Sequence, residues 1–312
     1  VNKRSIVTSL RWMCAGVAVL LSGCHMEVLS PKGDIGMDER SLIFIALGLM
    51  SLVVIPVIVL TLVFAWKYRA SNTKATYAPK WSHSTAIEAA MWAIPCVIIA
   101  ILAYITWTST QRLDPYRPLQ SKVRPITIQA VSLDWKWLFI YPDYGVASVN
   151  QIAFPVDVPV HFEITSGTVM NAFFIPQLGS QIYAMAGMET QLHLIAREQG
   201  TYDGLSSNYS GAGFSDMRFN AIATSQQGFQ DWIKQAKAAP ATLDASAYQS
   251  LLVPSQKVPV SYYGSVTPGM FGHILQPGMK GMARAGKPMD GMSAAAGMAV
   301  VPAHPTQSKA AE

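Results

Sequence analysis

Few residues of this chain could do chemistry, and they lie far apart in the sequence. The stretch from Thr201 to Met217, TYDGLSSNYSGAGFSDM, has the small polar composition of a ligand-bearing loop and follows the strand-like run Thr190–Ala196. A loop held on a β-scaffold is a common place for a metal site. Its strongest donors are the carboxylates of Asp203 and Asp216, with the Met217 thioether weaker, and it carries neither Cys nor His. Such a set holds a transition metal poorly. Cys14, Cys24 and Cys96 lie in or beside apolar runs, which speaks against a disulfide framework and leaves zinc without ligands at workable spacing. His161 and His193, in VHF and LHL, read as hydrogen-bonded core or surface residues of strands. Neither a nucleophile–base arrangement nor a Gly-rich phosphate loop is visible.

Two further residues gain meaning from position. Glu88 opens an apolar run in HSTAIEAAMWAIP. An acid there is favoured by the helix dipole, and a carboxylate at a membrane boundary is also a common proton-handling group; the residues alone leave both readings open. Cys24 closes Leu21-Ser22-Gly23-Cys24, which matches the bacterial lipobox, where the Cys is lipidated and becomes the mature N-terminus. Lys3, Arg4 and Arg11 with the apolar run Met13–Leu21 precede it, as in a secretory signal. An ordinary signal peptide with an incidental Cys is the alternative.

The elements that must position these groups begin in lipid. The chain has 312 residues, 51% of them hydrophobic and only 13% charged, against about 25% charged in an ordinary soluble protein. Ser41–Trp66 and Ala89–Thr110 carry no charge, and each exceeds the about 20 residues that cross a bilayer as a helix. Pro56 and Pro95 inside them are tolerated where neighbouring groups re-satisfy the freed carbonyls. The intervening stretch has Lys67, Arg69, Lys74 and Lys80 and no acid, as a cytoplasmic loop does, although Arg112, Arg117, Lys122 and Arg124 crowd the far end. The lipobox decides the orientation: N-terminus out, loop in, remainder out. The expected order is a signal at 1–23, an outer segment at 24–40, membrane helices at 41–66 and 86–110 around a cytoplasmic loop at 67–85, then a linker at 111–124. The net charge of +5 is spread in short loops, with no nucleic-acid module.

From Arg124 the pattern turns to β. Ile126–Leu133, Trp135–Pro142, Val149–Pro155 and Val158–Thr165 are short runs rich in β-branched and aromatic residues, and MNAFFIP, TQLHLIA and MRFNAIA continue them. They predict an all-β sandwich or barrel over 125–225. FQDWIKQAKAA at Phe229–Ala239 has helical spacing and opens an extension placed at 226–265. The Met-, Gly- and Ala-rich stretch 266–312 reads as a disordered tether, with weak Cu(I) capture by thioethers beside His273 and His304 as the sharper alternative.

Several motifs together resemble a known family. WSHSTAIEAAMWAIP is similar to the second-helix entry, DWKWLFIYPDYG to the aromatic strand, NAFFIPQLGSQIYAMAGM to the HSFFIPQFG-type stretch and GTYDGLSSNYSGAGFSDM to the copper loop of subunit II of the haem–copper terminal oxidases. The resemblance covers roughly residues 25–265. It implies a transmembrane α-helical hairpin plus a cupredoxin-like periplasmic domain in the bacterial inner membrane. In the cytochrome c oxidase branch that domain holds a dinuclear copper centre on two Cys, two His, a Met and a Glu carbonyl. Carried over residue by residue, the first His falls on Asn171, the Cys on Ser206 and Ser210, the Glu on Asn208 and the second His on Phe214; only the Met is kept, as Met217. Neutral hydroxyls and a phenyl ring cannot replace bridging thiolates and imidazoles.

The chain therefore resembles the quinol oxidase branch, most closely its cytochrome bo-type members. That implies a complex that oxidises ubiquinol, reduces O₂ to water and pumps protons, with no metal on this chain and the haems and copper on subunit I. It implies subunit I as principal partner, with subunits III and IV and membrane lipid, and no nucleic acid. It implies Glu88 at the cytoplasmic mouth of a proton path, lipid on Cys24, and a packing role for Trp135. The competing expectations are a cytochrome c oxidase subunit II with an atypical metal site, or a lipoprotein scaffold with a cupredoxin-like binding domain.

Overall fold

The computed structural model describes residues 26–76 and 83–276. The signal stretch with Cys24, Lys80 of the loop, and the chain beyond 276 with His304 lie outside the described residues. Two long helices come first, α1 (Asp34–Lys67) and α2 (Thr85–Arg112). Apolar residues surround both helices, so almost none of their side chains is buried within the chain. A helix apolar on all sides needs lipid or partner helices around it. Helix α1 begins ahead of the charge-free run, at Asp34, because its charged first turns are tied to the β-domain rather than to lipid.

That tie is made by backbone as well as by charge. The Lys32 amide donates to the Gln177 carbonyl at 2.7 Å, Gly36 to Leu178 at 3.1 Å and Arg197 back to Lys32 at 2.8 Å. Gly33 bridges to Ala196 in antiparallel fashion. No side chain fits there, since a Cβ on Gly33 would stand 2.5 Å from the Ile195 carbonyl oxygen. Around this seam Arg197 binds Asp34 and Asp157, Lys32 binds Glu198, and Arg112 of α2 binds Asp38 of α1.

The β-domain is two packed sheets. One takes, in spatial order, β12 (Ser261–Tyr263), β3 (Val146–Val149), β2 (Lys136–Tyr141), β1 (Ile126–Leu133), β5 (Val160–Ser166) and β8 (Thr190–Leu194). The other takes β4 (Gln151–Pro155), β10 (Arg218–Thr224), β9 (Gly200–Ser206), β6 (Asn171–Phe174) and β7 (Ile182–Ala184). Pairing is antiparallel except β1 with β5 and β10 with β4. The run expected as a single strand at Val149–Pro155 divides into β3 and β4 at Asn150, whose φ of +57° turns the chain. Its amide side chain fastens the corner, accepting from the Trp137 N–H and donating to the Val258 carbonyl, each at 2.8 Å.

Strand β2 shows why its sequence lacks alternation. Trp137, Phe139 and Tyr141 face the inter-sheet core, where Trp137 and Phe139 meet Phe173 and Phe219 with centroids 5.0–6.3 Å apart. Leu138 and Ile140 face the other way and are just as buried, under the C-terminal extension. A strand buried on both faces reads as a continuous apolar run. The extension comprises α3 (Gln226–Lys237), β11 (Thr242–Leu243), α4 (Ala245–Leu252), β12 and β13 (Ser265–Val266). Of these, β11, α4, β12 and β13 supply the cover over Leu138 and Ile140, while α3 packs into the inter-sheet core. Helix α3 places Phe229, Trp232, Ile233 and Ala236 inward, as their spacing predicts.

Two sequence expectations need correction. The stretch from 266 is not tether throughout: residues 270–276 are helical, and Met270, Phe271 and Ile274 are buried against Val131, Leu138 and Ile140. The flanking Gly and Pro hide that short apolar face. Thr201–Met217 is likewise not loop throughout, because Gly200–Ser206 is β9, paired with β10. Its glycine is structural: a Cβ on Gly204 would collide with the Phe219 ring.

Candidate functional site

The six positions onto which the resemblance carries copper ligands divide into two groups. Asn171 opens β6 and Ser206 closes β9, two paired strands of one sheet. The Ser206 hydroxyl donates to the Asn171 amide oxygen at 2.9 Å, and the Asn171 nitrogen donates to the Ser132 hydroxyl at 2.6 Å and the Val169 carbonyl at 3.2 Å. Asn171 is 0% exposed and Ser206 3%, so leaving either unpaired would cost far more than the bond is worth in water. Met217 is in the core beside them, and its carbonyl accepts from the Ser206 N–H at 3.1 Å. The Asn208 side chain donates to the Met170 carbonyl at 3.1 Å. Asn171 and Ser206 thus form a neutral hydrogen-bond network, with Ser132 as a member the sequence did not reveal.

Ser210 and Phe214 are engaged elsewhere. The Ser210 carbonyl accepts from the Trp135 indole at 3.2 Å, and Phe214 packs edge-on against Tyr209 at 5.6 Å. Trp135 sits in the left-handed region at φ +64°, a position costing an L-residue about 1 kcal/mol or more. The loop holds it there: the indole lies against Gly211 and Gly213, and a Cβ on Gly213 would collide with it. Trp135 and the loop fix each other, which is packing in the sense expected of it.

Copper does not fit this donor set. Both ends of the Asn171 amide and the Ser206 proton are committed to one another or to neighbours, and Met217 supplies the network's single soft donor. Among the described residues no group of three or more His, Cys, Asp or Glu stands close enough to hold a metal ion.

Glu88 lies in the first turn of α2, where its N–H caps back to the Ser84 carbonyl at 3.0 Å. His83 folds over it, with Nδ1 2.7 Å from the Glu88 carboxylate, and Thr85 hydrogen-bonds the other ring nitrogen at 3.2 Å. Both side chains of the pair are more than half exposed. The sequence hides this partner because it lies five residues upstream, before the helix begins. Cys96, further along α2, is an exposed free thiol.

Known proteins share this architecture and sequence. The family model described as the periplasmic domain of cytochrome c oxidase subunit II matches residues 146–224, and the one described as the COX aromatic rich motif matches 237–282. Cytochrome bo(3) ubiquinol oxidase subunit 2 of Pseudomonas aeruginosa is 64% identical over 274 residues, covering 88% of this chain and 83% of its own. The protein of the same name from Pseudomonas putida is 58% identical and covers 82% of each chain. Ubiquinol oxidase subunit 2 of Acetobacter aceti is 51% identical, covering 85% of this chain and 87% of its own. The two family models between them take in much of the β-domain and of the aromatic extension. The chain belongs to the subunit 2 family of the cytochrome bo(3)-type ubiquinol oxidases, within subunit II of the haem–copper oxidases.

Proposed function

We propose that this chain is the subunit of an inner-membrane quinol oxidase that anchors and shapes subunit I without carrying an electron itself. The observation behind this reading is the Asn171–Ser206 hydrogen bond, which fills the ligand positions of a copper relay with neutral, mutually satisfied groups. Without that relay, electrons from a soluble cytochrome have no stepping stone in the outer domain. Ubiquinol, dissolved in the bilayer, delivers them within the membrane instead, and O₂ is reduced to water by haems and copper on subunit I. Subunits III and IV and membrane lipid complete the surroundings of α1 and α2, and Cys24 carries a lipid on the outer side.

Glu88 is proposed as the carboxylate at the cytoplasmic entrance of a proton path into subunit I. Its place supports this: an exposed acid in the first turn of a long apolar helix, hydrogen-bonded to an imidazole, can exchange protons with water and present them inward. The test is Glu88→Gln in the assembled oxidase. Quinol turnover should fall several-fold while haem content and subunit composition stay those of the parent. Unchanged turnover in a fully assembled Glu88→Gln complex removes Glu88 from the path.

A further inference from the structure

His161 and His193 face each other across β5 and β8, with their rings parallel, centroids 4.6 Å apart and planes 5° from each other. Their strand neighbours Phe162, Leu192 and Leu194 point into the aromatic core, so the imidazoles stand on the opposite face of the sheet. The His193 Nδ1 is 3.0 Å from the carbonyl oxygen of Pro115, in the segment 113–125 that joins α2 to β1. A carbonyl can only accept, so Nδ1 carries the proton and Nε2 is left to take another. His193 is 7% exposed, and the His161 Nε2 is buried without a hydrogen-bond partner.

Several of the charged groups around the pair already have partners of their own. His193 lies on the wall of a cleft of about 660 Å³ between hairpin and β-domain. Helix α1 presents Asp34, Asp38 and Glu39 to it, α2 presents Arg112, and the joining segment presents Asp114 and Arg117. Asp34 and Asp38 are already paired with Arg197 and Arg112. On β5, Glu163 is bound by Gln129 of β1 at 2.8 Å, and on the β8 side Glu189 accepts from Gln191 at 3.4 Å.

We propose that the stacked histidines are a proton-operated latch: with at most one ring charged they hold the 113–125 segment against the β-domain, and charging both releases it. Parallel imidazoles tolerate one proton between them, but two like charges at this separation repel strongly in a partly dry site. Burial lowers the proton affinity of His193; the Pro115 hydrogen bond opposes that, and the charge on His161 adds to it. A released, hydrated ring takes its proton at the ordinary histidine value near 6.5. The closed state thus binds fewer protons than the open one below that pH. Its stability is complete above about 6.5 and declines as pH falls further.

Hydrogen exchange on the intact oxidase, corrected for intrinsic rates, reads the latch between pH 8 and 5, above the carboxylate range. The reporters are the Tyr116 and Arg117 amides, which donate to the Asp114 side chain and carbonyl at 3.0 Å each. Their protection should be flat above about pH 7 and then fall, by up to about tenfold for each unit separating the closed and open pKa values. His193→Gln, which keeps an amide donor for Pro115, should flatten the fall; His161→Phe, which keeps a ring but no charge, should make it shallower. Protection that never falls, or that falls equally in both variants, overturns the latch. So does a fall shared by the amides of β1 and β2, which would be general acid unfolding.

Discussion

The Ser206 hydroxyl donates to the Asn171 amide oxygen at 2.9 Å, joining the end of β9 to the start of its paired strand β6. Ser132 extends this bond into the facing sheet, accepting from the Asn171 nitrogen at 2.6 Å.

That network should matter to stability and not to turnover. Ser206→Ala leaves the buried Asn171 oxygen without its donor, a loss of about 1–3 kcal/mol. The β-domain should therefore unfold at lower temperature in the assembled oxidase, with quinol turnover unchanged below the transition. A turnover defect without a stability defect would contradict the structural role.

The seam between hairpin and β-domain depends more on close backbone packing than on its ion pairs. Gly33→Ala puts a Cβ 2.5 Å from the Ile195 carbonyl and 2.9 Å from that of Leu178, an overpacking cost of about 1–3 kcal/mol. Arg197→Ala removes ion pairs whose arginine is 43% exposed, and such pairs contribute about 1 kcal/mol or less. Limited proteolysis within 113–125 should therefore accelerate more for Gly33→Ala than for Arg197→Ala. The reverse order would place the seam's strength in its charges.

The short helix after Pro268 should be part of the domain's stability. Phe271 is 6% exposed, over the outer faces of β1 and β2. Phe271→Ala should cost about 3 kcal/mol, as large-to-small core changes do, readable as a lower denaturant midpoint. A chain ending at Thr267 should be less stable still. No change in either would mean that the covering layer is dispensable.

Much of this architecture was legible in the residues, for identifiable reasons. Charge-free runs announce membrane helices, and β1 reads from Ile126 to Leu133 because its β-branched residues are uninterrupted. The inward face of α3 follows from the spacing of Phe229, Trp232, Ile233 and Ala236. The hydrogen bonds that join the candidate site's residues were not legible. Ser132 joins Asn171 across 39 residues of sequence, His83 reaches Glu88 from outside the helix, and the apolar face of 270–276 is diluted by Gly and Pro. Contacts made by tertiary structure leave no local period to read.

The central claim is that the outer domain carries no electron relay, and copper content tests it most directly. Copper per haem and the near-infrared spectrum would be measured on the purified oxidase with the parent chain and with one carrying Ser206→Ala and Met217→Leu. The account predicts the same copper-to-haem ratio in both, and no near-infrared band that the substitutions remove. A ratio that falls, or a band that disappears with Ser206 and Met217, would show a copper site in this domain and contradict it.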